Sequence, residues 1–181
     1  MHNTGLPITI LSALNALFWE NPAAQSVGLL ALCIGVSAFF QKDDQKLRYF
    51  LTVFTLVMAV HFVMLEQWTG ALMAFLGSLR NYASSKTNSL KIMYGFIFVV
   101  WVLAIPNIES LIHFLPVIAT SLGTVAVFRM QGIKLRLLMS MGTICWLAHN
   151  YLVFSIGGVL VESLFLVINM RTMLKLRQVQ N

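Results

Sequence analysis

A chain of 181 residues that is 59% hydrophobic and only 10% charged is not an ordinary soluble domain, where roughly a quarter of residues are charged. Its net charge of +6 is spread over short connections between apolar runs rather than gathered on one surface, which argues against nucleic acid as a partner. Cys33 and Cys145 both lie within apolar runs and read as small hydrophobes, with no disulfide, metal site, redox role or cofactor implied.

The chain opens on "LPITILSALNALFW", which no Lys or Arg precedes, so it lacks the basic region of a signal peptide. That run is short for a span. Residues 1–22 therefore read as an apolar extension, with residues 6–19 interfacial, re-entrant or spanning. Apolar spans follow near 23–40, 49–65, 69–85, 92–108, 111–128, 137–153 and 157–173. They do not alternate apolar and polar residues as barrel strands do. Lipid leaves backbone groups unsatisfied, so the expected fold is all-α, a polytopic membrane helix bundle.

The connections sort by charge. "QKDDQKLR", "RNYASSKTNSLK", "RMQGIKLR" and the tail "RTMLKLRQVQN" are basic, whereas "EQWT", "PNIES" and "VFSIGG" carry no Lys or Arg. The basic connections fall at alternate ends of the spans. The positive-inside rule places those ends in the cytoplasm, which with seven spans predicts N-terminus out and C-terminus in. The lipid bilayer is the implied partner, and a homo-oligomer is left open.

An internal repeat is written at an offset of 88. Lys46, Leu47, Arg48, Thr55 and His61 recur as Lys134, Leu135, Arg136, Thr143 and His149. Gly35, Gly70 and Asn81 likewise recur as Gly123, Gly158 and Asn169. Thirteen identities fall in the 54 ungapped pairs from 28/116 to 81/169, well above chance for this composition, and such self-similarity signals a repeated unit. The reading is a first three-helix repeat over 23–85, a linker helix over 86–108, a second three-helix repeat over 109–173 and a basic tail over 174–181. Because three is an odd number of crossings, the linker restores the orientation, giving parallel repeats about an axis along the membrane normal.

Polar residues inside the spans are the candidate site. A carboxylate at mid-bilayer costs about 2.5–3.5 kcal/mol on insertion scales, so Glu162 should face the bundle and find a partner. His149 and Asn150, at similar depth across the turn, are expected to supply it. The repeat pairs His61 with His149, but Glu162 with Ala74 and Asn150 with Phe62. The histidines are shared, while the acid and the amide belong to one unit. That asymmetry points to a single specific site, and a proton-linked step is one use for His149 with Glu162. A structural interhelical hydrogen bond, worth about 0.6–2 kcal/mol in membranes, is the other reading. Trp146 shares a helical face with His149 and Asn150 at i+3 and i+4 and suits a stacking wall, or an ordinary packed aromatic. Asn81 and Asn169 either line the path or serve the helix ends. Pro116 is read as a hinge.

The 3+1+3 arrangement resembles SWEET sugar facilitators, PQ-loop proteins and PnuC-type transporters. "LPVIAT", "CWLAHN" and "SIGGVLVESLFLVIN" resemble the YgjV family of bacterial inner-membrane proteins, over about Ala24 to Arg171. That resemblance implies the fold and the bacterial inner membrane, not a substrate. "WLAHN" is similar to the WxxYN motif of the PnuC type, with His149 in the Tyr position. Resemblance to SWEETs implies pocket roles for Asn81, Asn169 and Trp146, with Met58 standing where the first repeat's Trp would be.

Two functions are carried forward. One is a small transporter or facilitator for an unidentified small polar solute, working by alternating access between the repeats. The other is a non-transporting receptor or assembly protein. An enzyme is not expected: no GxSxG, HExxH or paired-Asp motif is present, and no ATP-binding loop supports pumping.

Overall fold

The structure is a computed structural model that describes residues 16–39, 44–130 and 132–180. The apolar extension expected over 6–19 falls largely outside them; residues 16–20 are helical, with Trp19 exposed. Seven helices longer than three turns follow: α1 (Pro22–Phe39), α2 (Asp44–Met64), α3 (Trp68–Ser84), α4 (Leu90–Ala104), α5 (Phe114–Arg129), α6 (Gly132–Leu152) and α7 (Ile156–Gln180).

Local chemistry fixes their ends. The Asn21 side chain accepts the Ala24 N–H at 3.1 Å, with Pro22 as the first helical residue, an N-cap arrangement that satisfies one orphan donor. The same side chain donates to the Met64 carbonyl at 2.9 Å, tying the start of α1 to the end of α2. Helices α2 and α6 begin earlier than the apolar spans at 49 and 137, because Lys46, Arg48, Lys134 and Arg136 are good helix formers. Apolarity marks the start of a span, not of a helix. At the other end, α4 stops at Ala104 rather than 108. Pro106 follows, and the residue before a proline disfavours α geometry; a 3-10 turn, Ile105–Asn107, takes over. The basic tail continues α7 to Gln180.

The two outer turns have one design. Glu66 (φ 59°) and Phe154 (φ 56°), 88 positions apart, both adopt the left-handed conformation. Gln67 N–H donates to Phe62 C=O at 2.8 Å and Glu66 N–H to Val63 C=O at 3.0 Å. Ser155 to Asn150 at 2.9 Å and Phe154 to Tyr151 at 3.3 Å repeat that pattern 88 positions later. Each is a Schellman closure of the preceding helix, made without glycine at the left-handed position.

Helix α2 packs between α1 and α3, and α6 between α5 and α7. The α1–α7 and α3–α5 contacts join the two sets, while α4 lies outside against α5 and α3. Accordingly α3 is buried over most of its circumference, from Thr69 to Ser84, whereas α4 buries only Met93, Val100 and Ala104. The rest of α4, including Tyr94, Phe98 and Trp101, is apolar and exposed.

By length and apolarity alone, two stretches qualify as membrane spans, Leu111–Arg129 and Ile156–Gln178, with mean hydropathies of 1.9 and 1.4. Pro22–Ala38, Arg48–Met64 and Leu90–Ala104 are shorter apolar helices. The remaining two are α3, with Arg80 and Asn81, and α6, with Thr143, His149 and Asn150.

Candidate functional site

Two adjoining openings occupy the middle of the bundle, with about 350 and 590 Å³ of empty space. Both are lined by Phe54, Thr55, Arg80, Trp146 and Glu162, so they form one cavity between α2, α3, α5, α6 and α7. Part of its wall follows the sequence repeat. Leu51 and Met139, Phe54 and Gly142, Thr55 and Thr143, Met58 and Trp146, Ala74 and Glu162, and Gly77 and Phe165 all line it. Every one of these pairs is 88 positions apart.

Of the residues singled out from sequence, Glu162, Trp146 and Asn81 reach this cavity. Glu162 is 6% exposed and accepts a hydrogen bond from the Thr143 hydroxyl. Trp146 stacks on Phe62 with ring centroids 5.6 Å apart and planes 11° apart. The stack is a flat aromatic wall beside the carboxyl group. Trp146 also packs against both apolar cores, one centred on Phe54, Met58 and Phe62, the other on Met73, Val100 and Val117. Asn81 donates at 3.4 Å to the Leu51 carbonyl, a long bond that holds the amide at the cavity edge.

The others lie elsewhere. His61, expected near the solute, is fully buried in a structural clamp. Its Nδ1 lies 2.7 Å from the Ala24 carbonyl and its Nε2 2.7 Å from Ser155 Oγ. A carbonyl only accepts, so Nδ1 carries the proton; Nε2 of the neutral ring then takes the hydroxyl proton of Ser155. Ser155 Oγ accepts the Gly158 N–H at 3.1 Å. Gln25, 2% exposed, adds to this clamp. It donates to Phe154 C=O at 2.9 Å and accepts Ile156 N–H at 3.1 Å.

His149 does not pair with Glu162. It lies in a fully buried aromatic nest, edge-on to Phe62 at 5.1 Å and to Trp146 at 5.7 Å. Gly70 gives it room: a Cβ there would stand 2.8 Å from His149 Cε1. Neither ring nitrogen has a hydrogen-bond partner among the described residues. Asn150 donates to the Trp146 carbonyl at 2.9 Å, and its oxygen fits the space left by Gly158. It closes the α6–α7 turn instead of lining the cavity. Asn169 accepts from Arg136 Nη1 at 3.2 Å and also lies off the cavity. Pro116 is the third residue of α5. It is fully buried, and the 3-10 turn Leu111–His113 runs directly into the helix ahead of it.

Sequence reasoning passed over Thr55, Thr143 and above all Arg80. Arg80 was grouped with the basic residues of the connections, although it stands within the span expected over 69–85. Among the described residues, no group of three or more His, Cys, Asp or Glu side chains is placed to hold a metal ion.

Residues 22–180 match the family model Imp-YgjV, described as a bacterial inner membrane protein. The chain is 34% identical over 146 residues to the inner membrane protein YgjV of Escherichia coli (strain K12), covering 81% of this chain and 80% of the relative. No solved structure matches.

Proposed function

Because the chain belongs to the Imp-YgjV family of bacterial inner membrane proteins, we propose that it is a small transporter or facilitator for a polar solute. The solute passes through the central cavity. Seven helices cross the membrane as two parallel three-helix repeats, α1–α3 and α5–α7, with α4 as linker. The arrangement is SWEET-like, with the N-terminus outside and the basic connections in the cytoplasm.

The single observation that carries this reading is the set of six pairs of cavity-lining residues 88 positions apart. A site on the axis between two like units is where alternating access by rocking of those units places its substrate. The matched outer turns at Glu66 and Phe154, and the reciprocal α1–α7 and α3–α5 contacts, support the same symmetry. Departures from symmetry mark the chemistry. Glu162 stands opposite Ala74, and Trp146 opposite Met58, so the carboxyl group and the indole come from the second unit alone. With Thr143 holding its carboxyl group, Glu162 is the residue placed to couple a proton to solute movement.

Proteoliposomes loaded with a defined mixture of amino acids, sugars, nucleosides and organic acids test this directly. At least one compound is expected to leave faster than from protein-free vesicles, as read by mass spectrometry. No accelerated efflux, together with a stable partner on purification, would favour the receptor or assembly role instead.

A further inference from the structure

We propose that Arg80 is an anion anchor, and that the solute of the central cavity is a small organic anion held by its carboxylate or phosphate oxygens. This rests on the cavity being a solute site, and it specifies the chemistry of that site. Arg80 lies four residues before the end of α3, and its side chain turns into the cavity, where it lines both openings. Its hydrogen bonding among the described residues is slight: Nε donates to the Gly77 carbonyl of its own helix at 3.5 Å. Glu162, the carboxyl group on the same cavity, is bonded instead by Thr143.

Depth accounts for that separation. In the repeat register Glu162 stands level with Ala74, six residues from Arg80, which is about 9 Å along a helix. The two groups therefore bracket a space rather than pair across it. Glycine clears the room around the guanidinium. A Cβ at Gly123 would lie 2.5 Å from Arg80 Nη1. The repeat places Ile168 where the other unit has Arg80, so the fold itself does not require a cation at this position.

Arg80 is half-buried, and ionisable groups inside membrane bundles face a partner or a pathway. A planar guanidinium fork matches two oxygens of a carboxylate or phosphate. The uncharged remainder of the solute then lies along Phe54 and Trp146, towards Glu162.

The test uses the full chain in a phosphate-free maltoside detergent, with Trp19, Trp68 and Trp101 changed to Phe. All three are exposed, and Trp146 is left as the reporter of the cavity. Acetate, succinate and inorganic phosphate are titrated at constant ionic strength against chloride, and phosphatidylglycerol is added in a separate arm. The expected result is a saturable Trp146 fluorescence change with at least one free oxyanion and none with chloride. Arg80→Gln should weaken it roughly tenfold or more, and Arg80→Lys by less. No saturable response to any free oxyanion overturns the proposal, as does unchanged affinity in Arg80→Gln. A response to phosphatidylglycerol alone makes the ligand a lipid headgroup and overturns the solute assignment. Should Arg80→Gln fail to fold, Gly123→Ala displaces the guanidinium without removing its charge, and unchanged affinity there counts equally against the proposal. Oxyanion binding with no flux in liposomes sinks transport and leaves the anchor standing. Flux that is indifferent to Arg80→Gln does the reverse.

Discussion

Gly157→Ala is expected to lose most of its folded protein, or to melt well below the wild type. At this position the backbones of α1 and α7 touch: a Cβ on Gly157 would overlap the carbonyl carbon and oxygen of Gly28. Neither group is a flexible side-chain end that can swing away. Gly28 is itself wedged, since a Cβ on it would stand 2.9 Å from His61 Cε1, and His61 is held at both nitrogens. Any shift of α1 away from α7 therefore pulls on the clamp that joins Ala24, His61, Ser155 and Gln25. Overpacking of a closed site costs about 1–3 kcal/mol, and occasionally more. In a chain of this size that is roughly 2–4 °C of melting temperature for each kcal/mol. Gly95→Ala is the matched control. Nothing lies within 4 Å of its Cβ position, so only the helix-propensity gain applies, up to about 1 kcal/mol. Thermal unfolding of both variants in detergent decides the matter, and a Gly157→Ala protein that melts with the wild type would remove the α1–α7 contact from the structure described.

The second large effect is expected at Glu162. Glutamine keeps the shape of the side chain and can still accept the Thr143 hydrogen bond, but it cannot carry a proton. Glu162→Gln should give folded, monodisperse protein whose solute flux no longer responds to a proton gradient across the liposome. Flux in the variant is expected to fall to the rate seen without a gradient. Thr143→Val is the companion change: it removes the hydroxyl that holds the carboxyl group while leaving the acid in place, so it should alter the pH response without abolishing it. A Glu162→Gln protein with wild-type flux at every pH would end the proton-linked role.

The helices were largely readable from sequence, because apolar length survives without knowledge of any side-chain direction, and the offset of 88 is a property of the sequence itself. Glu162, Trp146 and Asn81, singled out as polar or aromatic residues inside spans, line the cavity. What failed was rotation about the helix axis. Depth suggested that His149 would meet Glu162, yet α6 turns Gly142, Thr143 and Trp146 to the cavity and leaves His149 and Asn150 at the turn against Gly70 and Gly158. His61 and His149 look equivalent in sequence, but Ser155 serves one and its register partner Gln67 does not serve the other. Arg80 was hidden by the company it kept. Eleven other basic residues lie in or beside the connections and the tail, and the signal against that grouping was its position five residues inside an expected span.

The most direct measurement is accessibility of the cavity from the two sides of the membrane. In a background with Cys33→Ala and Cys145→Ala, Ala74→Cys and Ala119→Cys each place one thiol on the cavity wall, facing the first and the second opening respectively. A membrane-impermeant maleimide is then applied to right-side-out and to inverted vesicles. Alternating access predicts that each thiol is labelled in both preparations, and that a bound solute slows both reactions. Labelling from one side only, or from neither, would contradict a cavity that opens in turn to the two sides.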